Sequence, residues 1–308
     1  MTQLLDTPSS SASVSELADH AELMCWRYTR LPLLQLARNL GRLEENDYTH
    51  DGVPEEDPLT ETVEDVLTEI YRREKACRDG YPFEIRNDGH TLVAVQPEKC
   101  HKLLLYRYFL LATRLNMKTS RRHAQMDGAD LFEEVAADIV RSYFGCRAEA
   151  RVFGTASGIP SFEKRVNWLC KEMGLKYYFR NRDNARTVAR DGKLDVVVWK
   201  KFADERDSML IGFGQCKTGT SFRNNITELD TSVFCSKWLD TSPAVMPVRL
   251  FLVTEVVSNR WYTTASDAGL LFDRCRLIDY ADDISEEVLS KVKAWTKAAA
   301  HVSTLPES

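Results

Sequence analysis

Apolar residues in the first third of the chain recur mostly with the spacing of amphipathic helices. Residues 16–43 have this spacing, interrupted by a proline, and residues 60–78 repeat it more regularly. Residues 100–115 form a longer apolar run that predicts a buried helix. Residues 82–95 alternate around an Asn-Asp-Gly turn and predict a β-hairpin. This part of the chain therefore predicts a mixed α/β module.

The remainder of the chain alternates between short apolar runs and helical patterns. Helices are predicted at residues 130–143, 161–173, 224–239 and 285–300, and strands at residues 147–153, 194–199, 210–217, 248–255 and 274–278. This α-β-β-β-α-β order, with one inserted helix, is typical of a small mixed sheet that carries helices on both faces. The predicted fold class is α/β.

The basic, polar residues 118–128 separate the two patterns and mark the predicted domain boundary. The serine-rich residues 1–15 predict a disordered tail, residues 16–117 an N-terminal accessory module, and residues 118–308 the second domain. A chain of 308 residues is long enough for about two domains.

The composition indicates a globular protein without a membrane span. Apolar residues make up 44% of the chain and charged residues 28%, which is ordinary for a globular protein. No apolar run is long enough to cross a bilayer, and the first residues lack the pattern of a signal peptide, so the cytoplasm is the expected location. The eight cysteines are scattered without zinc-type spacing, which predicts free thiols.

The charge is acidic and unevenly distributed. A net charge of −5 argues against a passive nucleic-acid coat, whose affinity comes from bulk positive charge, but it allows an enzyme with a local basic cleft. Residues 44–69 contain eleven acidic residues and no Lys or Arg. Three interpretations of this acidic segment stay open: docking of a basic partner, shielding of the cleft as a DNA mimic, or a solvated loop.

Asp195 and the Gln215-Cys216-Lys217 sequence carry the clearest candidate chemistry. Each lies in a strand-like run, so two antiparallel neighbours would bring Asp195, Gln215 and Lys217 to one end of a sheet. Because strand side chains alternate, Gln215 and Lys217 share a face and Cys216 points to the other. Two oxygen ligands and an ammonium in one cleft suit metal-assisted cleavage of a phosphodiester.

Asp…QxK on neighbouring strands in this element order resembles the PD-(D/E)XK nuclease superfamily, and the glutamine variant is similar to the branch that includes Mrr-type restriction endonucleases. That branch has a Phe-Glu pair in its first helix, which Glu133 matches. The resemblance covers about residues 130–255 and implies a restriction-endonuclease-like mixed sheet flanked by helices, with the mixed α/β accessory module outside it. It also implies that Asp195, Gln215 and Glu133 ligate Mg²⁺ or Mn²⁺, while Lys217 orients or deprotonates the attacking water.

The chain departs from the family pattern in two ways. Leu194 stands where the family has a proline, and the long interval between the acid and the glutamine requires residues 200–207 to form a protruding loop. The amide ligand is neutral, so cations should bind more weakly than they would to two carboxylates. Glu133 or Glu134 would offset that deficit.

A basic stretch follows an aromatic one and leads into the Asp195 strand. Its members are Arg180, Arg182, Arg186, Arg190 and Lys193. One interpretation is a phosphate-contacting wall beside the cleft, and the other is a solvated loop. Both stay open.

The resemblance implies a metal-dependent deoxyribonuclease that acts in bacterial, antiviral defence against foreign DNA, with RNA as the alternative substrate. A function of another class is a non-catalytic nucleic-acid-binding or assembly subunit that retains the nuclease fold, which the neutral Gln215 and the acidic net charge favour. Because the chain has no ATPase motif, translocation would need a partner such as an ATPase or helicase, and the accessory module is its expected contact. A homo-oligomer is also left open.

Overall fold

The computed structural model describes residues 4–6, 8–9, 11–32, 35–36, 58–87, 89–96, 100–154, 157–182, 192–204, 206–303 and 305. Arg186 and Arg190 lie outside the described residues, and so does most of the acidic segment, residues 44–57. Within the described part of the chain, no helix combines the length and apolar character needed to span a membrane.

Helices and strands alternate along the chain as follows. Helices α1 to α9 span Val14–Tyr28, Pro58–Cys77, His101–Arg114, Gly128–Phe144, Phe162–Met173, Thr231–Trp238, Trp261–Ala268, Arg274–Asp279 and Glu286–Val302. Strands β1 to β10 span Arg30–Pro32, Phe83–Arg86, Thr91–Ala94, Arg122–His123, Met126–Asp127, Ala148–Val152, Val196–Lys200, Leu210–Lys217, Val248–Val253 and Leu270–Phe272. Short 3-10 helices occupy Arg78–Gly80 and Thr220–Asn225.

The largest sheet has five strands in the order β10-β9-β8-β7-β6. β6, β7 and β8 pair antiparallel, whereas β8 with β9 and β9 with β10 pair in parallel. The crossover from β8 to β9 contains α6, because parallel neighbours cannot be joined by a tight turn. The predicted α/β class is confirmed, with a mixed sheet packed against helices.

Both faces of this sheet are covered, as the side chains of strand β7 show. Val196 and Val198 face the main core, an apolar cluster that includes residues of α1, α2, α3, α4, α8 and α9. Val197 and Trp199 face a second core against α5 and α6. All four side chains are fully buried, as the unbroken apolar run of a strand between two helical layers requires.

One predicted element of the C-terminal half is wrong, and another is shorter than predicted. The predicted last strand, residues 274–278, is helix α8, because the Asp273 side chain accepts the backbone N–H of Arg276 and begins a helix there. The last strand is instead Leu270–Phe272. The helix predicted at residues 224–239 is shorter, since α6 begins only after the capping side chain of Asp230.

The N-terminal part contains the predicted hairpin and differs from the prediction in three ways. β2 and β3 pair antiparallel as predicted, and β1 adds a third strand to them. The helical pattern predicted for residues 16–43 breaks after Tyr28, because Thr29 adopts a left-handed φ of 62° and the chain turns into β1. Leu4 and Leu5, in the predicted disordered tail, pack against the main core.

Four fully buried ionic side chains join elements that are far apart in the sequence. We call Asp19, Glu22, Arg73 and Arg274 the buried charge cluster. Asp19 Oδ1 lies 2.6 Å from Arg73 Nη1 and 2.8 Å from Arg274 Nη1. Burial raises the pKa of Asp19, but the charges of Arg114, Arg274 and Arg73 outweigh it and hold that pKa well below its ordinary value. Asp19 therefore stays ionised, and its ion pairs tie α1 to α2 and α8.

The short hairpin β4–β5 occupies the predicted boundary at residues 118–128. Its flanks are held from two sides, because Trp295 of α9 donates its Nε1–H to Arg121 O and Tyr108 of α3 donates its hydroxyl to Gly128 O. The cysteines of the chain are free thiols, as predicted.

Candidate functional site

The antiparallel pairing of β7 and β8 brings the predicted aspartate and glutamine together. Val196 pairs with Gly214, so Asp195, the residue before β7, lies opposite Gln215. The backbone N–H of Asp195 donates to Gly214 O at 2.9 Å, and Asp195 Oδ2 accepts the N–H of Cys216 at 2.8 Å. The loop required between the strands is present, because β7 ends at Lys200 and β8 begins ten residues later.

Gln215 is the most buried of the predicted ligands. Its side chain is 1% exposed, and its Nε2 donates to Glu228 Oε2 at 2.9 Å. Its Oε1 has no hydrogen-bond partner among the residues that the structure describes. A buried acceptor without a partner is costly, so this oxygen is suited to receive a ligand.

Lys217 lies on the same face, two positions along β8. Its Nζ is 3.3 Å from Glu228 Oε2, and its side chain is 27% exposed, so it borders solvent. Cys216, between them, packs against the main core on the other face. The predicted alternation of these three side chains is therefore confirmed.

Glu228 is the residue of this site that the sequence did not reveal. Its carboxylate accepts hydrogen bonds from Gln215, Lys217 and Asn225, and also from Lys193 at 3.3 Å. Burial raises the pKa of Glu228, but the Asn225 hydrogen bond, the Lys217 charge and the Gln215 hydrogen bond outweigh it and lower the pKa to about 2. A lone glutamate in the β8–β9 crossover carries no periodicity or motif that would have marked it.

Glu133 of α4 lies against Gly154, the second residue after β6. A Cβ atom added to Gly154 would lie 2.8 Å from the carboxyl carbon of Glu133, and the N–H of Gly154 donates to Asp195 O at 3.0 Å. Burial raises the pKa of the Cys216 thiol, and the charges of Asp195 and Glu133 raise it further. Both carboxylates therefore lie near the same thiol.

The neighbouring Glu134 points elsewhere. Its Oε2 lies 2.7 Å from Lys291 Nζ on α9. Of the two glutamates that the sequence offers, Glu133 is the one whose charge, like that of Asp195, acts on the Cys216 thiol.

Burial dominates the electrostatics of Asp195. It raises the pKa of this carboxyl group to about 6, while the Cys216 N–H and the charges of Lys217 and Lys193 act in the opposite direction. The protein thus holds Asp195 in an environment that favours an added positive charge.

The described members of the basic stretch occupy different places. Lys193 contacts Glu228, as above. Arg182 donates from Nε to Ser236 O at 2.9 Å and from Nη2 to Asp240 O at 3.4 Å, at the end of α6. Arg180 is exposed, and its backbone N–H donates to Trp238 O. The structure therefore brings Lys193, but not Arg182, to the carboxylates.

The oxygen atoms of the predicted ligands are of the chemical type that a hard cation binds. Asp195, Glu133 and the Gln215 carbonyl are oxygen ligands of the type that Mg²⁺ and Mn²⁺ take, and the unpartnered Oε1 is the atom that fits best. The described residues contain no group of three or more His, Cys, Asp or Glu side chains arranged to hold a metal. We therefore expect two carboxylates and a neutral amide to bind a cation more weakly than a fully charged set of ligands would.

A cleft of about 1090 Å³, with a mixed polar and apolar lining, opens beside Lys217. Residues 113–121 line one wall, residues 217–221 line another, and Glu16 lies in the lining. Its arginines, Arg114 and Arg121, are ion-paired with Asp19 and Asp127.

Comparisons with protein-family models, with curated proteins and with solved structures gave no match.

Proposed function

We propose that this protein is a metal-dependent nuclease of the PD-(D/E)XK type with a restriction-endonuclease-like fold. The observation that carries the proposal is the pair of Asp195 and Gln215 across β7 and β8, with Lys217 on the same face. The unpartnered, buried Oε1 of Gln215 supports a ligand role. The element order α4-β6-α5-β7-β8-α6-β9, in which α5 is the inserted helix, supports the same class.

The proposed reaction is hydrolysis of a phosphodiester. Water attacks phosphorus, one P–O bond to a sugar oxygen breaks, and a proton from the water passes to the leaving alkoxide. Asp195, Gln215 and Glu133 would hold Mg²⁺ or Mn²⁺, which supplies Lewis-acid charge at the phosphate when bound. Lys217 borders solvent and hydrogen-bonds the water or a phosphate oxygen, so its charge stabilises the transition state.

The wider setting of this activity rests on the resemblance. The proposed substrate is DNA, and the proposed role is defence against foreign DNA in the cytoplasm of a bacterium. A partner ATPase or helicase would supply any translocation.

A second candidate is a non-catalytic nucleic-acid-binding subunit. The favouring observation is that Glu228 pairs with both Lys217 and Lys193, two lysines whose charges act on Asp195. Together with the neutral Gln215, this arrangement is compatible with a site that binds without cleaving.

Cleavage of supercoiled plasmid tests the proposal. The wild type, Asp195→Ala and Lys217→Ala are compared in Mg²⁺, in Mn²⁺ and in EDTA, with Lys201→Ala as the matched control. Like Lys217, which is the last residue of β8, Lys201 is a partly buried lysine at a strand end: it follows β7, is 33% exposed and pairs with Glu149. We expect metal-dependent nicking that falls at least about 100-fold in both site variants and persists in the control. A folded wild type that binds DNA but does not nick it would instead support the second candidate.

The adjacent glutamates give a sharper comparison in the same assay. Glu133→Ala should lower nicking at least about tenfold, because it removes a ligand. Glu134→Ala should leave nicking within about twofold, because its carboxylate pairs with Lys291 instead. Equal losses in the two variants would exclude a specific role of Glu133.

A further inference from the structure

Glu228 determines which way the Gln215 amide faces. A carboxylate only accepts hydrogen bonds, so the group that Gln215 turns toward Glu228 must be its NH₂. Its carbonyl Oε1 is then forced to face away from Glu228. This orientation follows from the chemistry of the pair and does not depend on distinguishing amide nitrogen from oxygen.

The oxygen that this contact turns away is buried on the sheet face that Asp195 shares. Gln215 Oε1 has no hydrogen-bond partner among the described residues, and the side chain is 1% exposed. Asp195 lies directly across the strand pair. A carboxylate and an amide oxygen are both acceptors, so a cation is the natural third member of the group.

Glu228 is itself held firmly. Asn225 donates its Nδ2–H at 2.9 Å, and Lys193 and Lys217 contribute two positive charges, each at 3.3 Å. The charge of Glu228 offsets part of that of the lysines, while its position fixes the amide. Both effects arise from a crossover residue that does not touch Asp195 in the described contacts.

We propose that Glu228 is a positioning residue that holds the Gln215 carbonyl toward Asp195 as a ligand for a divalent cation. The inference rests on the proposed nuclease function and names a residue that acts through Gln215. It predicts that Glu228 strengthens cation binding while weakening the attraction of the two lysines for phosphate.

The isosteric Glu228→Gln variant separates the two effects. The new amide can donate to Gln215 Oε1 or accept from its Nε2, so Gln215 is no longer held in one orientation. Titration calorimetry with Mn²⁺ alone should show about tenfold weaker binding than the wild type. Anisotropy with a labelled DNA duplex in EDTA should show binding at least as tight as the wild type, because Lys193 and Lys217 have lost a counter-charge.

Two further variants complete the test. Glu228→Asp retains an acceptor-only group and should recover Mn²⁺ affinity to within about threefold of the wild type, provided that circular dichroism shows native folding. Glu172→Gln is the matched control, because this glutamate is also ion-paired and partly exposed, on α5 against Arg151. It should leave both affinities unchanged.

The outcomes distinguish this inference from the proposed function. Unchanged Mn²⁺ affinity in Glu228→Gln, with a wild type that binds Mn²⁺ and cleaves DNA, would overturn the positioning role alone. Parallel losses of Mn²⁺ and DNA binding would also overturn it, since they would indicate general damage to the fold. A wild type that does not bind Mn²⁺ would overturn the metal-dependent function and the inference with it.

Discussion

Glu255, just beyond β9, is a carboxylate that the fold holds away from water. Its side chain is 8% exposed, and its Oε2 has no hydrogen-bond partner within the described ranges. Burial raises its pKa from 4.5 to about 7; the charge of Asp19 adds to the rise, and those of Arg114, Arg223 and Arg274 oppose it. The folded protein therefore binds a proton there at pH values where the unfolded chain has released it.

The free energy of unfolding should depend on pH because of this proton. Between pH 4.5 and about 7 the folded state holds one proton more than the unfolded state, so the contribution of Glu255 to stability falls as pH rises through this window. The free energy of unfolding of Glu255→Gln, relative to that of the wild type, should therefore rise between pH 5 and pH 8 by up to about 3 kcal/mol.

Urea unfolding of both proteins at these two pH values measures the gain. Groups that the two proteins share cancel in the difference, so the wild type is its own control. A stability difference that is the same at both pH values would show that Glu255 titrates normally.

Capping residues decide several element boundaries. Asp273 ends β10 and begins α8, and its carboxylate accepts the backbone N–H groups of Arg276 and Val257, each at 3.1 Å. Asp230 caps α6 in the same way through Val233, but it is exposed. The same residue type therefore serves one buried and one solvated helix start.

Removing the two caps should have unequal costs. Asp273→Ala leaves one buried and one partly buried backbone donor without an acceptor, so we expect a loss of about 2–4 kcal/mol in the free energy of unfolding. Asp230→Ala should cost about 1 kcal/mol, because water replaces the carboxylate. Chemical denaturation of each variant tests the ranking, and equal costs would contradict it.

The same elements show how far the sequence predicts the fold. The local sequence pattern predicts capped, periodic helices such as α5 and α9, and it also predicts the β7–β8 strand pair. The apolar residues of α8 form too short a run to separate helix from strand, and only the contacts of Asp273 decide it. The pattern also predicts that Asp195, Gln215 and Lys217 lie close together on two neighbouring strands. The position of Glu228 cannot be predicted in this way, because Glu228 lies in the β8–β9 crossover, whose path depends on the whole sheet.

The molecule as a whole is joined through its main core and its buried charge cluster. The main core contains residues from α1 and α2 as well as from α8 and α9. Asp19 and Arg73 lie in the first part of the chain, and Arg274 lies in the last. We therefore expect the parts on either side of residues 118–128 to unfold together.

Asp19→Ala tests this coupling. It removes one of the two carboxylates that the buried Arg73 and Arg274 share, the other being Glu22, which should cost about 3–5 kcal/mol. Glu84→Ala, which breaks an exposed pair with Arg86, should cost less than about 1 kcal/mol. Wild-type unfolding in urea should give coincident transitions by tryptophan fluorescence and circular dichroism, and two separate transitions would show independent domains.

The contact between Asp19 and Arg274 also has a consequence for synthesis on the ribosome. The two residues are 255 positions apart in sequence. At ordinary translation rates roughly 10–50 s pass between their emergence. During that interval α1 can meet Arg73 but not Arg274, so its acidic residues remain only partly neutralised. The nascent N-terminal part should therefore stay open to chaperones and proteases until α8 has left the exit tunnel.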